Sequence, residues 1–157
     1  MAFEQIVGYN RQEAAYLFQE SLKNDEKNPF FHWAIAYCHG ADYNMYGAAY
    51  KSLRTTPEWP SLEVAKKHSE DAVKYANTDD EWYPVYSALA LRYKTKSIEE
   101  YVEALDQTVT NSMNCDIIAI DAEAHMLLEP WSLWDRKTMK RSANAKIVQE
   151  ILDKGLK

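Results

Sequence analysis

The chain has 157 residues, 46% hydrophobic and 27% charged, with a formal charge of −6. That is enough for one packed domain and the wrong sign for a nucleic-acid surface. No apolar run approaches the ~18 residues of a membrane span, no basic segment leads into one, and Cys38 and Cys115 are too few for a disulfide framework, so the expectation is a soluble, reduced, cytoplasmic protein.

Periodicity predicts helices along most of the chain. Ala14, Leu17, Phe18 and Leu22 step by three and four and mark the first. Phe30, Trp33, Ala34, Tyr37 and Cys38 mark the second. Residues 41–60 follow as a long link carrying Tyr43, Asn44, Tyr46, Tyr50 and Trp59; its tyrosines argue for packing. Ser61 is placed to cap a third helix over about residues 61–76, with a small apolar face of Ala65, Ser69, Ala72 and Ala76. The polar cluster Thr78-Asp79-Asp80-Glu81 separates it from a fourth, which carries Trp82, Val85, Tyr86, Leu89 and Tyr93. Ser97 and Glu100 form a capping box for a fifth helix, striped by Ile98, Tyr101, Val102, Leu105 and Val109. Ile117, Ile120, Ala124 and Leu127 give a sixth. A Pro/Trp link over 129–142 leads to a seventh, with Ile147, Val148, Ile151 and Leu152. No stretch alternates with period two for long enough to be a strand. The expected fold is all-α, about seven helices in a single domain over residues 1–157.

The helix pair that opens at Ser61 recurs at Ser97, about 36 residues later, close to the ~34-residue period of helix-turn-helix solenoids of the tetratricopeptide type. Small–large–small spacings such as Ala14, Phe18, Ser21 fit the close helix crossings of such an α-solenoid.

Two blocks then resemble one family. The stretch NRQEAAYLFQESLKNDEKNPFFHWAIAYCHGADYN resembles the opening of a group of tetratricopeptide-repeat proteins, through Asn10, Glu13, Ala14, Phe18, Asp25, His32, Trp33, Ile35, Ala36, Tyr37, Gly40, Tyr43 and Asn44. The block AEAHMLLEPWSLWD is similar to a later motif of that group, through Ala122, Glu123, Ala124, Met126, Pro130, Trp131, Leu133, Trp134 and Asp135. The chain departs at Ala34 for a glycine and at Glu26 for a helix-ending proline. Members of the family run on into further repeats and begin with another helix, so this chain resembles a shortened member or a fragment. An N-terminal repeat lacking its first helix would leave Leu17 and Phe18 partly uncovered, and self-association at that end is expected.

The resemblance implies a scaffold and no particular reaction. In the family register the groove would be lined by helices at roughly 29–40, 81–94 and 116–129. Its expected partner-binding residues are His32, Trp82, Tyr86, Arg92, Asp121 and His125, with Tyr43 and Asn44 at the start of the link. Tyr, Trp and Arg are residue types suited to binding hot spots. The expected function is an interaction scaffold that takes a protein or peptide partner, with no cofactor, no metal ligand and no catalytic residue assigned. The alternative is a small-molecule or metal-dependent site built from His32, Asp121 and His125. Asp121 and His125 are four apart and can touch, which orients an imidazole. His32 and His39 share a helix face but lie ~10 Å apart, too far to bind one ion together. No metalloprotease, phosphate-loop or nucleophile-elbow motif is present. The Pro130–Asp135 tryptophans are expected to fold back as a plug between the sixth and seventh helices.

Overall fold

A computed structural model of the chain describes residues 2–8, 10–44, 59–109 and 112–156. Among them are eight helices: α1 (Ala2–Val7), α2 (Arg11–Leu22), α3 (Pro29–Cys38), α4 (Leu62–Tyr75), α5 (Tyr83–Thr95), α6 (Ile98–Val109), α7 (Cys115–Met126) and α8 (Ala143–Gly155). Extended pairing among the described residues is limited to one isolated antiparallel bridge, Trp134 with Arg141. The fold is all-α.

The helices start where polar side chains can take up free backbone amides. Asn28 accepts from the Phe31 N–H ahead of Pro29, Ser61 from Val64, Asn114 from Asp116 and Ile117, and Ser142 from Ala145. At α6 the capping box is only half formed. Ser97 Oγ accepts from the Glu100 N–H at 3.1 Å, but the serine hydroxyl donates to Glu99, at 3.0 Å.

Each helix packs on its neighbours in the chain, and α3 also packs on α5. Small buried residues allow the close crossings: Ala14 and Ala15 on α2, Ala34 and Ala36 on α3, Ala65, Ser69 and Ala72 on α4. Trp33 is the largest fully buried side chain among the described residues. Its ring lies 5.1 Å from Tyr37, 5.2 Å from Trp82 and 5.5 Å from Phe30. From there one hydrophobic core runs through Leu89, Tyr101 and Leu105 to Ile117 and Leu127.

Three expectations need correction. Helix α1 is additional: six residues are too short for a helical period to register in the sequence. It packs on α2, and Phe3 lies 5.9 Å from Phe30. Phe18 is therefore covered, at 3% exposure, beneath Phe30 and Phe31, and Leu17 is half-buried. Phe18 is thus not the uncovered apolar residue expected at this end, while Leu17 stays partly open as expected. The Pro/Trp link does not plug the helices either. It turns back on itself, Asp135 N–H donating to Lys140 O and Ser142 N–H to Leu133 O, and leaves Trp131 and Trp134 57% and 53% exposed. Of the tyrosines expected to pack in the 41–60 link, Tyr46 and Tyr50 lie outside the described residues.

Cys38 is buried and Cys115 exposed, and neither is in a disulfide. No helix among the described residues is long and apolar enough to cross a membrane.

Candidate functional site

The eight residues expected to bind a partner do not share one groove. Tyr86, Arg92, Asp121, His125 and His32 are all buried. Tyr86 stacks on Trp82, whose ring is also edge-on to Phe30 and Trp33. These are packing contacts of the α3–α5 interface. Tyr43 is half-buried and stacks against Trp131 at 5.5 Å, while Asn44 is exposed and donates its backbone N–H to Asp42 Oδ1. His32 does not approach Asp121 and His125. Its Nδ1 lies 2.8 Å from His68 Nδ1 on α4, and its Nε2 lies 2.9 Å from Glu26 O. A carbonyl only accepts, so Nε2 carries the proton and Nδ1 accepts from His68. His39, two turns along from His32, accepts the Ser61 N–H on Nδ1 at 3.0 Å and so helps to seat the start of α4.

Arg92 is the exception that reaches a groove. Its guanidinium donates from Nη2 to Ala41 O at 2.7 Å and lies over the Tyr101 and Tyr93 rings at 5.2 and 5.8 Å. Nη1 has no hydrogen-bond partner among the described residues. Burial alone would lower its pKa; the surrounding tyrosines and Glu123 outweigh that and hold it protonated. Arg92 forms part of the wall of a groove of about 510 Å³, bordered by Lys66 on α4, Lys94 and Lys96 at the end of α5, and Ile98 at the start of α6. Its described lining carries four cationic side chains and one carboxylate, Glu63. The first turns of α4 and α6 also border it, and helix N-termini favour negative charge. On a chain of net charge −6 this is a concentrated positive patch.

A second polar cluster sits deeper and was missed in the sequence. Arg11 on α2 pairs with Asp42 at 3.2 Å and with Glu123 at 3.3 Å, and donates from Nη1 to Tyr37 O at 3.1 Å. Tyr37 Oη donates to Glu123 Oε2 at 2.6 Å, and the guanidinium lies over the Tyr37 ring at 4.6 Å. Burial, then the Glu123 carboxylate, pushes the Tyr37 hydroxyl well above its usual range, so it stays a donor. A cavity of about 190 Å³ adjoins the cluster, lined by Phe3, Trp33, Tyr37, Ile120 and Glu123 among others. The two sequence blocks meet here: Tyr37 bonds Glu123, and Tyr43 stacks on Trp131. The only sequence signal was that both blocks carry a polar residue within an apolar stripe.

A third cluster lies between α6, α7 and α8. His125 is oriented by Asp106 and Asn144 rather than by Asp121: Nε2 is 2.8 Å from Asp106 Oδ1 and Nδ1 is 3.3 Å from Asn144 Oδ1. Asp121 is 2% exposed, and burial, then the neighbouring Asp106, pushes its carboxyl up to about 6.

In comparison with known proteins, the chain matches no family model, no curated protein and no solved structure.

Proposed function

We propose that the chain is a helical-repeat interaction module of the tetratricopeptide type, and that it binds an acidic peptide segment in the groove beside Arg92. The repeat reading is supported by the ~36-residue recurrence of capped helix pairs and by α3 packing on both α4 and α5, as stacked pairs do. The binding reading rests on one observation: Arg92, Lys66, Lys94 and Lys96 line a groove of about 510 Å³ with a single acid among its described lining residues. The three lysines are exposed, and the described structure pairs none of them except Lys66, whose contact with Glu70 at 3.9 Å is a solvent-facing one worth little. Their charge is available to a partner. Arg92, buried in the groove wall and held by Ala41 O, adds fixed positive charge behind the exposed lysines.

The test is fluorescence anisotropy with labelled peptides. A glutamate-rich peptide should bind and weaken as salt is raised, and a lysine-rich peptide of the same length should not. The variant Lys66→Glu/Lys94→Glu/Lys96→Glu, with all three positions solvent-facing, should keep its helical circular dichroism and bind at least about tenfold more weakly. Equal binding by the parent and that variant refutes the reading.

A further inference from the structure

Asp121 and His125 stand one turn apart on α7, and Asp106 faces them from α6. One donor atom from each of the three lies within 4.8 Å of the other two. The protonation of the histidine follows from its neighbour. Asn144 Nδ2 donates to His125 O at 2.6 Å, which turns the amide oxygen toward the ring, where Nδ1 lies 3.3 Å away. An amide oxygen only accepts, so Nδ1 bears the hydrogen. In the neutral ring Nε2 then presents a lone pair to Asp106 Oδ1 at 2.8 Å. Two acceptors at that distance repel, so the contact calls for a cation between them, either a proton on Nε2 or a metal ion. Asp121 stands beside this contact, and its Oδ1 is buried with no hydrogen-bond partner. Lys154 on α8 is close enough for its charge to act on Asp121, yet it gives that oxygen no hydrogen bond. In the His32–His68 pair each proton described has an acceptor.

We propose that Asp106, Asp121 and His125 form a binding site for a divalent first-row transition-metal ion, with Zn²⁺ as its probe. One imidazole nitrogen and two carboxylate oxygens are a mixed donor set that such ions accept. Tetrahedral bonds of ~2.0–2.1 Å separate donors by about 3.3 Å, so the His125–Asp106 contact opens by about 0.5 Å and the longer separations contract. Rotation of the carboxylates achieves both. Asn144 holds the ring from its far side and presents Nε2 to the ion, the usual second-layer support of a metal-bound histidine. The Asp106 side chain is 51% exposed, so the site has an entrance and room for water as a fourth ligand.

The full chain, stripped with a chelator, is titrated with Zn²⁺ by calorimetry and its thermal midpoint followed. One equivalent should bind and the midpoint should rise with metal concentration. Asp106→Asn, half-exposed on α6 and therefore compatible with folding, should keep the metal-free circular dichroism and weaken binding about tenfold or more. His68→Gln should bind as the parent does. No binding at ~100 μM Zn²⁺, where a site of useful affinity would raise the midpoint, overturns the proposal. So does binding unchanged in Asp106→Asn, which would place the ion elsewhere and leave the cluster a protonated histidine paired with a carboxylate.

Discussion

Acid should destabilise this protein through a histidine that is buried neutral. His39 is 2% exposed and its Nδ1 accepts the Ser61 N–H, a bond that a protonated nitrogen cannot make. Burial, then the charge of nearby His68, pushes its pKa down to about 4. The unfolded chain takes up that proton near pH ~6.5. Between those values the unfolded state binds one more proton than the folded state, so stability falls as the pH drops from ~6.5 to ~4 and levels off below. A separation of about 2.5 pH units is worth about 3 kcal/mol, a large share of an ordinary 5–15 kcal/mol. His68 is pushed down to about 4 as well, by burial and then by His32, and acts in the same direction. Asp121 opposes them. Its carboxyl, raised to about 6, takes up a proton in the folded state that the unfolded chain has already lost, so it returns stability as the pH falls from ~6 to ~4. Two protons favour unfolding in this window against one that favours folding. Urea unfolding of the metal-free protein, followed by tryptophan fluorescence from about pH 7.5 to about 4.5, measures the balance. His39→Asn keeps an acceptor for Ser61 but cannot titrate, and should flatten the pH profile by about 2.5 kcal/mol over that range. Asp121→Asn should steepen it. If the profiles of His39→Asn and the parent run parallel, the neutral, bonded His39 described here is wrong.

Trp33 is fully buried among Phe30, Tyr37 and Trp82, and Trp33→Ala should cost ~3–5 kcal/mol in urea unfolding. A loss below ~1 kcal/mol would mean that the α3 face described here is not the packed one. Glu123→Ala removes a partner from both Arg11 and Tyr37 in the interior and should cost about 3–5 kcal/mol, with a substantial part recovered in Glu123→Gln, which keeps an acceptor. Equal losses for Ala and Gln would show that the side chain acts through packing alone.

Helix identity was legible along the chain because amphipathic stripes and caps are local. Ser61 and Ser97 announce helix starts within a few residues, and Ala65, Ser69 and Ala72 announce a buried face without reference to anything distant. Helix α1 escaped because its six residues hold less than two turns of that signal. The candidate sites were much less legible. His32 and His125 were recognisable as polar groups on apolar faces, but their partners, His68 and Asp106 with Asn144, come from helices 19 and 36 residues away in the chain. Periodicity within one helix says which residues share a face; it carries no information about what lies opposite. Asp121 and His125, one turn apart, were a reasonable local pair, yet the ring turned to a stronger geometry across the α6–α7 and α7–α8 interfaces. Arg11 shows the same limit: on α2 alone it is a surface-type residue in a first turn, and only the arrival of Tyr37, Asp42 and Glu123 makes it the centre of a buried cluster. Local patterning thus determined that the chain is helical and where its helices begin. Tertiary packing alone decided which charges meet, because a charge's partner is set by distance in space and not by spacing in sequence.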